Sequence, residues 1–208
     1  MDKVLLVIGD ATEQMDTLYP YFRIPEEGYE LHVAAPEARL IHMVAHQVPP
    51  GWDVTREFEG YKLKADIAFR DVDPGKYLGL VVSGGRAPEF LRYDQELMRI
   101  TRHFFAHNKP VASVCHGIEI LATADVIRGR RVTTVSKARF DAEVCGATFV
   151  DAPAVVDGNL VCARTWWDSA PWMREFLKLL QAARNCRGAS GAAGMKRVSR
   201  RRPSARRD

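Results

Sequence analysis

Pro110-Val111-Ala112-Ser113-Val114-Cys115-His116-Gly117-Ile118-Glu119-Ile120-Leu121-Ala122 is an apolar run that passes directly into a helical pattern. Residues 110–114 read as a short buried strand and residues 117–122 as the start of a helix. The residue between them occupies a tight strand-to-helix turn, a nucleophile elbow, with its side chain at the carboxyl edge of a sheet and backbone N–H groups facing it. That residue is Cys115. The N–H groups and the helix dipole favour thiolate over thiol, and they suit an oxyanion formed when the sulfur attacks a carbonyl carbon. The expected pKa is therefore well below the free value of about 8.5. A free cysteine is more often one more small buried hydrophobe, but the His and Gly that follow fit the turn and favour a nucleophile.

Outward from this stretch, strands alternate with helices. Val4 to Ile8 form a first strand, closed by Gly9-Asp10, and the pattern after it places Met15, Leu18, Tyr19 and Phe22 on one helical face, with Pro20 and Pro25 predicting a kink and an end before Gly28. Residues 31–35 read as a second strand, residues 41–59 as irregular around Pro49-Pro50-Gly51, and residues 61–69 as an antiparallel or edge strand. Residues 78–82 form a core strand ended by Ser83-Gly84-Gly85, followed by a helix from near Asp94 with Leu97, Met98, Thr101, Phe104 and Phe105 inward. Beyond the elbow come a strand at 131–135, a helix at 138–145, a hairpin turned by Asp157-Gly158, and a last helix over 170–183. This order predicts an α/β three-layer sandwich with a mostly parallel sheet covered on both faces. Glu13, Gly84-Gly85 and Cys115 all follow carboxyl ends of strands, where ligands bind in open sheets of this kind.

The 208 residues, 47% of them hydrophobic, suit one globular domain over residues 1–186. Charge is uneven: residues 187–208 carry +7, which leaves −3 on the rest. That basic tail, with its Arg200-Arg201-Arg202-Pro203 run, reads as a disordered extension whose contact with nucleic acid is non-specific and salt-sensitive. Cysteines 115, 145, 162 and 186 lack CxxC spacing and the density of a secreted scaffold, which predicts a reducing, cytoplasmic setting. The apolar run at Val4 is shorter than a signal-peptide core, and no run is long enough to span a membrane.

Several stretches together resemble the PfpI/ThiJ superfamily of cysteine-dependent hydrolases and glyoxalase-like enzymes, in its PfpI-like branch. They are Gly84-Gly85-Arg86-Ala87-Pro88-Glu89, the 109–117 elbow, Val155-Val156-Asp157-Gly158-Asn159 and Trp172-Met173-Arg174-Glu175-Phe176. The resemblance runs from Lys3 to about Leu180. It implies a flavodoxin-like fold, similar to class I glutamine amidotransferases, and no cofactor. It makes Cys115 the nucleophile and His116 its acid/base partner, with Glu89 orienting the histidine of a neighbouring subunit in a homo-oligomer, dimer or hexamer. Glu13 matches the family's buried glutamate beside the sulfur, the N–H groups of Gly85 and His116 match the oxyanion hole, and Gly84, Arg86 and Trp167 fall where substrate binds. Two departures bear on substrate: Val135 where relatives often carry tyrosine, and Trp166-Trp167 where they carry a small or proline-containing loop.

The implied activity is addition of the Cys115 sulfur to an activated carbonyl. This is either glyoxalase- or deglycase-like on a small α-oxoaldehyde, or hydrolase- or peptidase-like on an amide. The alternative from a different class is a non-catalytic stress or redox sensor built on an oxidisable cysteine. His103/His107 and His42/His46 have the i, i+4 spacing of zinc ligands, but neither pair has an assignable third ligand, and no metal is expected. Trp166, Trp167 and Trp172 are read first as core or interface aromatics.

Overall fold

The computed structural model describes the backbone of residues 1–198 and the side chains through residue 188. In chain order the elements are β1 (Lys3–Val7), α1 (Gln14–Glu26), β2 (Glu30–Ala35), β3 (Leu40–Gln47), β4 (Arg56–Lys64), β5 (Ile67–Ala68), β6 (Tyr77–Val82), α2 (Ala87–Leu91) and α3 (Gln95–Ala106). There follow β7 (Val111–Val114), α4 (Ile118–Thr123), β8 (Arg131–Val132), α5 (Arg139–Val144), β9 (Thr148–Phe149), β10 (Ala154–Asp157), β11 (Leu160–Ala163) and α6 (Ser169–Val198).

A seven-stranded sheet runs β10-β11-β7-β6-β1-β2-β5. Its neighbours are parallel throughout except for the β10–β11 hairpin at one edge. The period-2 alternation of each strand divides the apolar side chains between two faces. Leu5, Val7, Leu80 and Val82 pack with Leu97, Phe104, Ile118 and Leu121 from α3 and α4. Val4, Leu6, Val81 and Val114 pack with Ile24 of α1 and Trp172, Phe176 and Leu180 of α6. The predicted three-layer α/β sandwich follows. The close approach of α6 to β6 depends on Gly79, where a Cβ would lie 2.5 Å from the Leu180 side chain. Among the described residues no helix is long and apolar enough to cross a membrane.

Four sequence expectations are corrected. Residues 41–59 are not irregular: β3 and β4 form an antiparallel two-stranded sheet of their own, with Pro49-Pro50-Gly51 in its connection. The largely exposed β4 carries polar residues on both faces, which erases the alternation that marks a half-buried strand. On α1 the inward face is Asp16, Thr17, Pro20 and Ile24, while Met15 and Phe22 are exposed, because the first turn abuts a polar site and not the core. The strand at 131–135 shrinks to β8, which pairs with β9 outside the main sheet. Finally, α6 continues to Val198, past the end expected at 183, and takes in residues assigned to a structureless tail; residues 199–208 lie outside the described residues.

The sheet order makes β7, β6 and β1 adjacent, so the loops after their carboxyl ends meet. The β3–β4 hairpin is fastened to the loop after β1: Ala11 N–H donates to the His42 carbonyl at 2.8 Å and Val44 N–H to the Thr12 carbonyl at 2.9 Å. It therefore stands beside the same sheet edge.

Candidate active site

Cys115 directly follows β7 with φ of +54°, a left-handed conformation that costs a cysteine of order 1–3 kcal/mol. The turn is held by Thr134, whose hydroxyl donates to the Cys115 carbonyl at 2.7 Å. Backbone N–H groups of Gly85 and His116 face the sulfur and favour its ionised form, the pair the resemblance assigns to the oxyanion hole. Gly85 has φ of +81°, and a Cβ there would come within 2.3 Å of the Glu13 nitrogen, so only glycine brings this N–H to the sulfur. Gly84 lies behind the sulfur, where a Cβ would collide with both Asp16 and Cys115.

The carboxyl beside the sulfur is Asp16, and the expectation for Glu13 is corrected. Glu13 caps α1, its Oε2 accepting the Asp16 N–H at 2.8 Å. One helical turn on, Asp16 is fully buried and, among the described residues, its carboxyl oxygens have no hydrogen-bond partner; the Cys115 thiol is the polar group that faces them. Burial raises the pKa of Asp16, and the nearby Glu13 carboxylate raises it further. The Cys115 thiol is also raised, first by burial and then by Asp16, against the two backbone N–H groups. This direction is opposite to the expected low-pKa thiolate: at 6% exposure, desolvation and a facing carboxylate act against the donors. Both shifts favour the protonated forms, so one proton can be exchanged between the Asp16 carboxyl and the sulfur.

His116 is oriented from within its own chain. Its Nδ1 lies 2.6 Å from Oε1 of Glu119, a buried residue three positions on. Arg92 bridges Oε2 of Glu119 and Oδ1 of Asp141, each at 3.3 Å. A carboxylate on Nδ1–H fixes the tautomer and leaves Nε2 as the base. The sequence reading missed Glu119, although His-x-x-Glu at a helix start places both side chains on one face. Glu89 is exposed and pairs with Arg86 at 3.5 Å.

A cavity of about 570 Å³ opens in front of Cys115 and His116. Arg86, Glu89 and Lys137 bring charge to it, Trp166 and Trp167 form one wall, and His46 and Glu57 come from the hairpin. Trp167 is 83% exposed, so it serves the mouth and not the core, whereas Trp172 is fully buried. The His103 and His107 rings stack at 4.0 Å, away from these cavity-lining residues. Among the described residues no cluster of three or more His, Cys, Asp or Glu is placed to hold a metal.

The model of the DJ-1/PfpI family matches residues 2–179. The chain belongs to the DJ-1/PfpI family. It is 41% identical over 179 residues to Deglycase TK1284 of Thermococcus kodakarensis, covering 86% of this chain and 99% of that one. It is 40% identical, with the same coverage, to Deglycase PH1704 of Pyrococcus horikoshii. Among solved structures, the ThiJ/PfpI domain protein of Brachyspira murdochii superposes with a TM-score of 0.73 at 19% identity, over 87% of this chain and 96% of that chain. At this identity the superposition speaks for the fold alone.

Within this DJ-1/PfpI chain, the geometry makes Glu119 the acid of the histidine. Glu119→Gln keeps the size of the side chain but removes its charge from Nδ1, and kcat/KM is expected to fall roughly tenfold. Glu89→Gln, measured in parallel, reports what a neighbouring chain adds. If the larger loss follows Glu89→Gln, the ring is held in trans.

Proposed function

We propose that this DJ-1/PfpI family enzyme uses the Cys115 sulfur as a nucleophile toward the carbonyl carbon of a small α-oxoaldehyde or of its adduct with an amine. The observation that carries the proposal is the sulfur itself, fixed on a strained turn with two N–H donors upon it, Asp16 behind it and an open cavity before it.

The thiol proton passes to Asp16 as the sulfur bonds to the aldehyde carbon, and the carbonyl electron pair moves to oxygen, which takes a proton. The donors that held the thiolate stand where that oxygen develops its charge. An amine adduct reaches the same hemithioacetal as the sulfur displaces the amine, which departs with the proton that the thiol gave to Asp16. His116 Nε2 then takes the proton from the sulfur-bearing carbon and returns it to the adjacent one, converting the hemithioacetal to a 2-hydroxy thioester. Water cleaves the thioester to the hydroxy acid and restores the thiol. An amide reaches a thioester at the same sulfur by expelling its amine, which is the hydrolase form of this reading. The Trp166–Trp167 wall narrows the cavity on one side and favours small substrates. A role as oxidation sensor draws less support, since the cavity before Cys115 is lined by groups suited to binding and proton transfer, His116, His46, Arg86 and Lys137.

The test is product formation from methylglyoxal, from a methylglyoxal-modified amino acid and from a chromogenic amide. Lactate from the first two, absent with Cys115→Ala, is expected. Equal lactate from both proteins overturns the oxoaldehyde reading, and cleavage of the amide alone shifts it to the hydrolase form.

A further inference from the structure

The Cys115 cavity holds a second imidazole with its own carboxylate. His46 stands opposite Glu57 in the β3–β4 register, and its Nε2 lies 3.3 Å from Glu57 Oε2. The other oxygen of Glu57 faces Arg86 at 3.9 Å. Both His46 and Glu57 line the cavity with Cys115 and His116, and the His46 side chain is only 10% exposed. A carboxylate on Nε2 leaves Nδ1 with a lone pair, and no hydrogen bond within the described residues occupies it. Burial lowers the pKa of this ring, as do the charges of His116 and Lys137, while Glu57 opposes them. The ring is thus held as a neutral base at neutral pH.

We propose that His46 is the base that activates water to clear the thioester from Cys115, with Glu57 as its positioning residue. This rests on Cys115 acting as the nucleophile. In the step, His46 Nδ1 takes a proton from water as the water oxygen bonds to the thioester carbon. The carbon–sulfur bond breaks, the sulfur leaves with the bonding pair, and the imidazolium proton returns to the sulfur–Asp16 pair. The product is the free acid, and no co-reactant besides water is consumed. His116, already beside the sulfur, serves the first half of the cycle, so the two histidines divide the two halves.

p-Nitrophenyl acetate separates those halves, because p-nitrophenolate release reports acylation and continued turnover reports hydrolysis of the acetyl-enzyme. In His46→Asn the first turnover is expected to persist while the steady rate falls roughly tenfold or more, with the acetyl group accumulating on Cys115 in intact-mass and peptide analysis. Glu57→Gln should slow the same phase by less. If His46→Asn lowers burst and steady rate by one common factor, or changes neither, the proposal is overturned while the nucleophile stands. If Cys115→Ala releases p-nitrophenolate as fast as the wild type, the nucleophile reading itself fails, and this proposal goes with it.

Discussion

Cys115→Ala is expected to lower kcat/KM on any turned-over carbonyl substrate by a factor on the order of 10³ or more, since the sulfur is the bond-forming atom and the remaining donors retain only part of the rate. The fold should survive. Alanine at φ of +54° bears the same left-handed strain that cysteine does, and Thr134 still holds the turn. Circular dichroism and a thermal melt check the fold, and initial rates check the chemistry. Retention of more than a few per cent of the rate in a folded variant would place the reacting group elsewhere.

Asp16→Asn should make the protein more stable and less active. The folded-state pKa of Asp16 lies above its ordinary value of 3.8, so between the two values the folded chain binds more protons than the unfolded one. Stability therefore declines as pH rises from about 4 through the folded pKa, and the deficit is complete above it. Asparagine does not titrate, so its melting curve should lack that decline and exceed the wild type at pH 7. In a chain of this size each kcal/mol regained raises Tm by about 2–4 °C. Turnover should fall about 10²-fold, because the thiol proton loses its acceptor. Alkylation of Cys115 should move to lower pH, because the facing charge that raises the thiol pKa is gone. An unchanged or lower Tm at pH 7, together with unchanged turnover, would mean that Asp16 is not charged beside the sulfur in the working protein.

What the sequence revealed about this site depended on how local the signal was. Cys115, His116 and Gly85 were legible because a strand-to-helix turn and a paired glycine leave marks within a few residues. The layers were legible too, since β1, β6 and β7 are apolar on both faces and have to be covered twice. Asp16 was displaced to Glu13 because both acids lie near the start of α1, and only the rotation of that helix decides which one caps it and which meets the sulfur. Glu119 was visible in principle as the acid three residues after His116, on the same face of the turn into α4. The hairpin escaped because β4 is mostly exposed with polar residues on both faces and the connection contains two prolines. These outweighed the short alternation of β3, where buried Ile41 and Met43 alternate with exposed Leu40 and His42.

That hairpin is built as a sheet apart from the seven strands, joined to the loop after β1 by a few backbone bonds. Ile41 roots it in the core and His46 and Glu57 face the cavity, but the connection between its strands, residues 48–55, lends only Val48, Asp53 and Thr55 to the cavity wall. A change confined to that connection would reshape the mouth while the elbow and the two hairpin side chains keep their places.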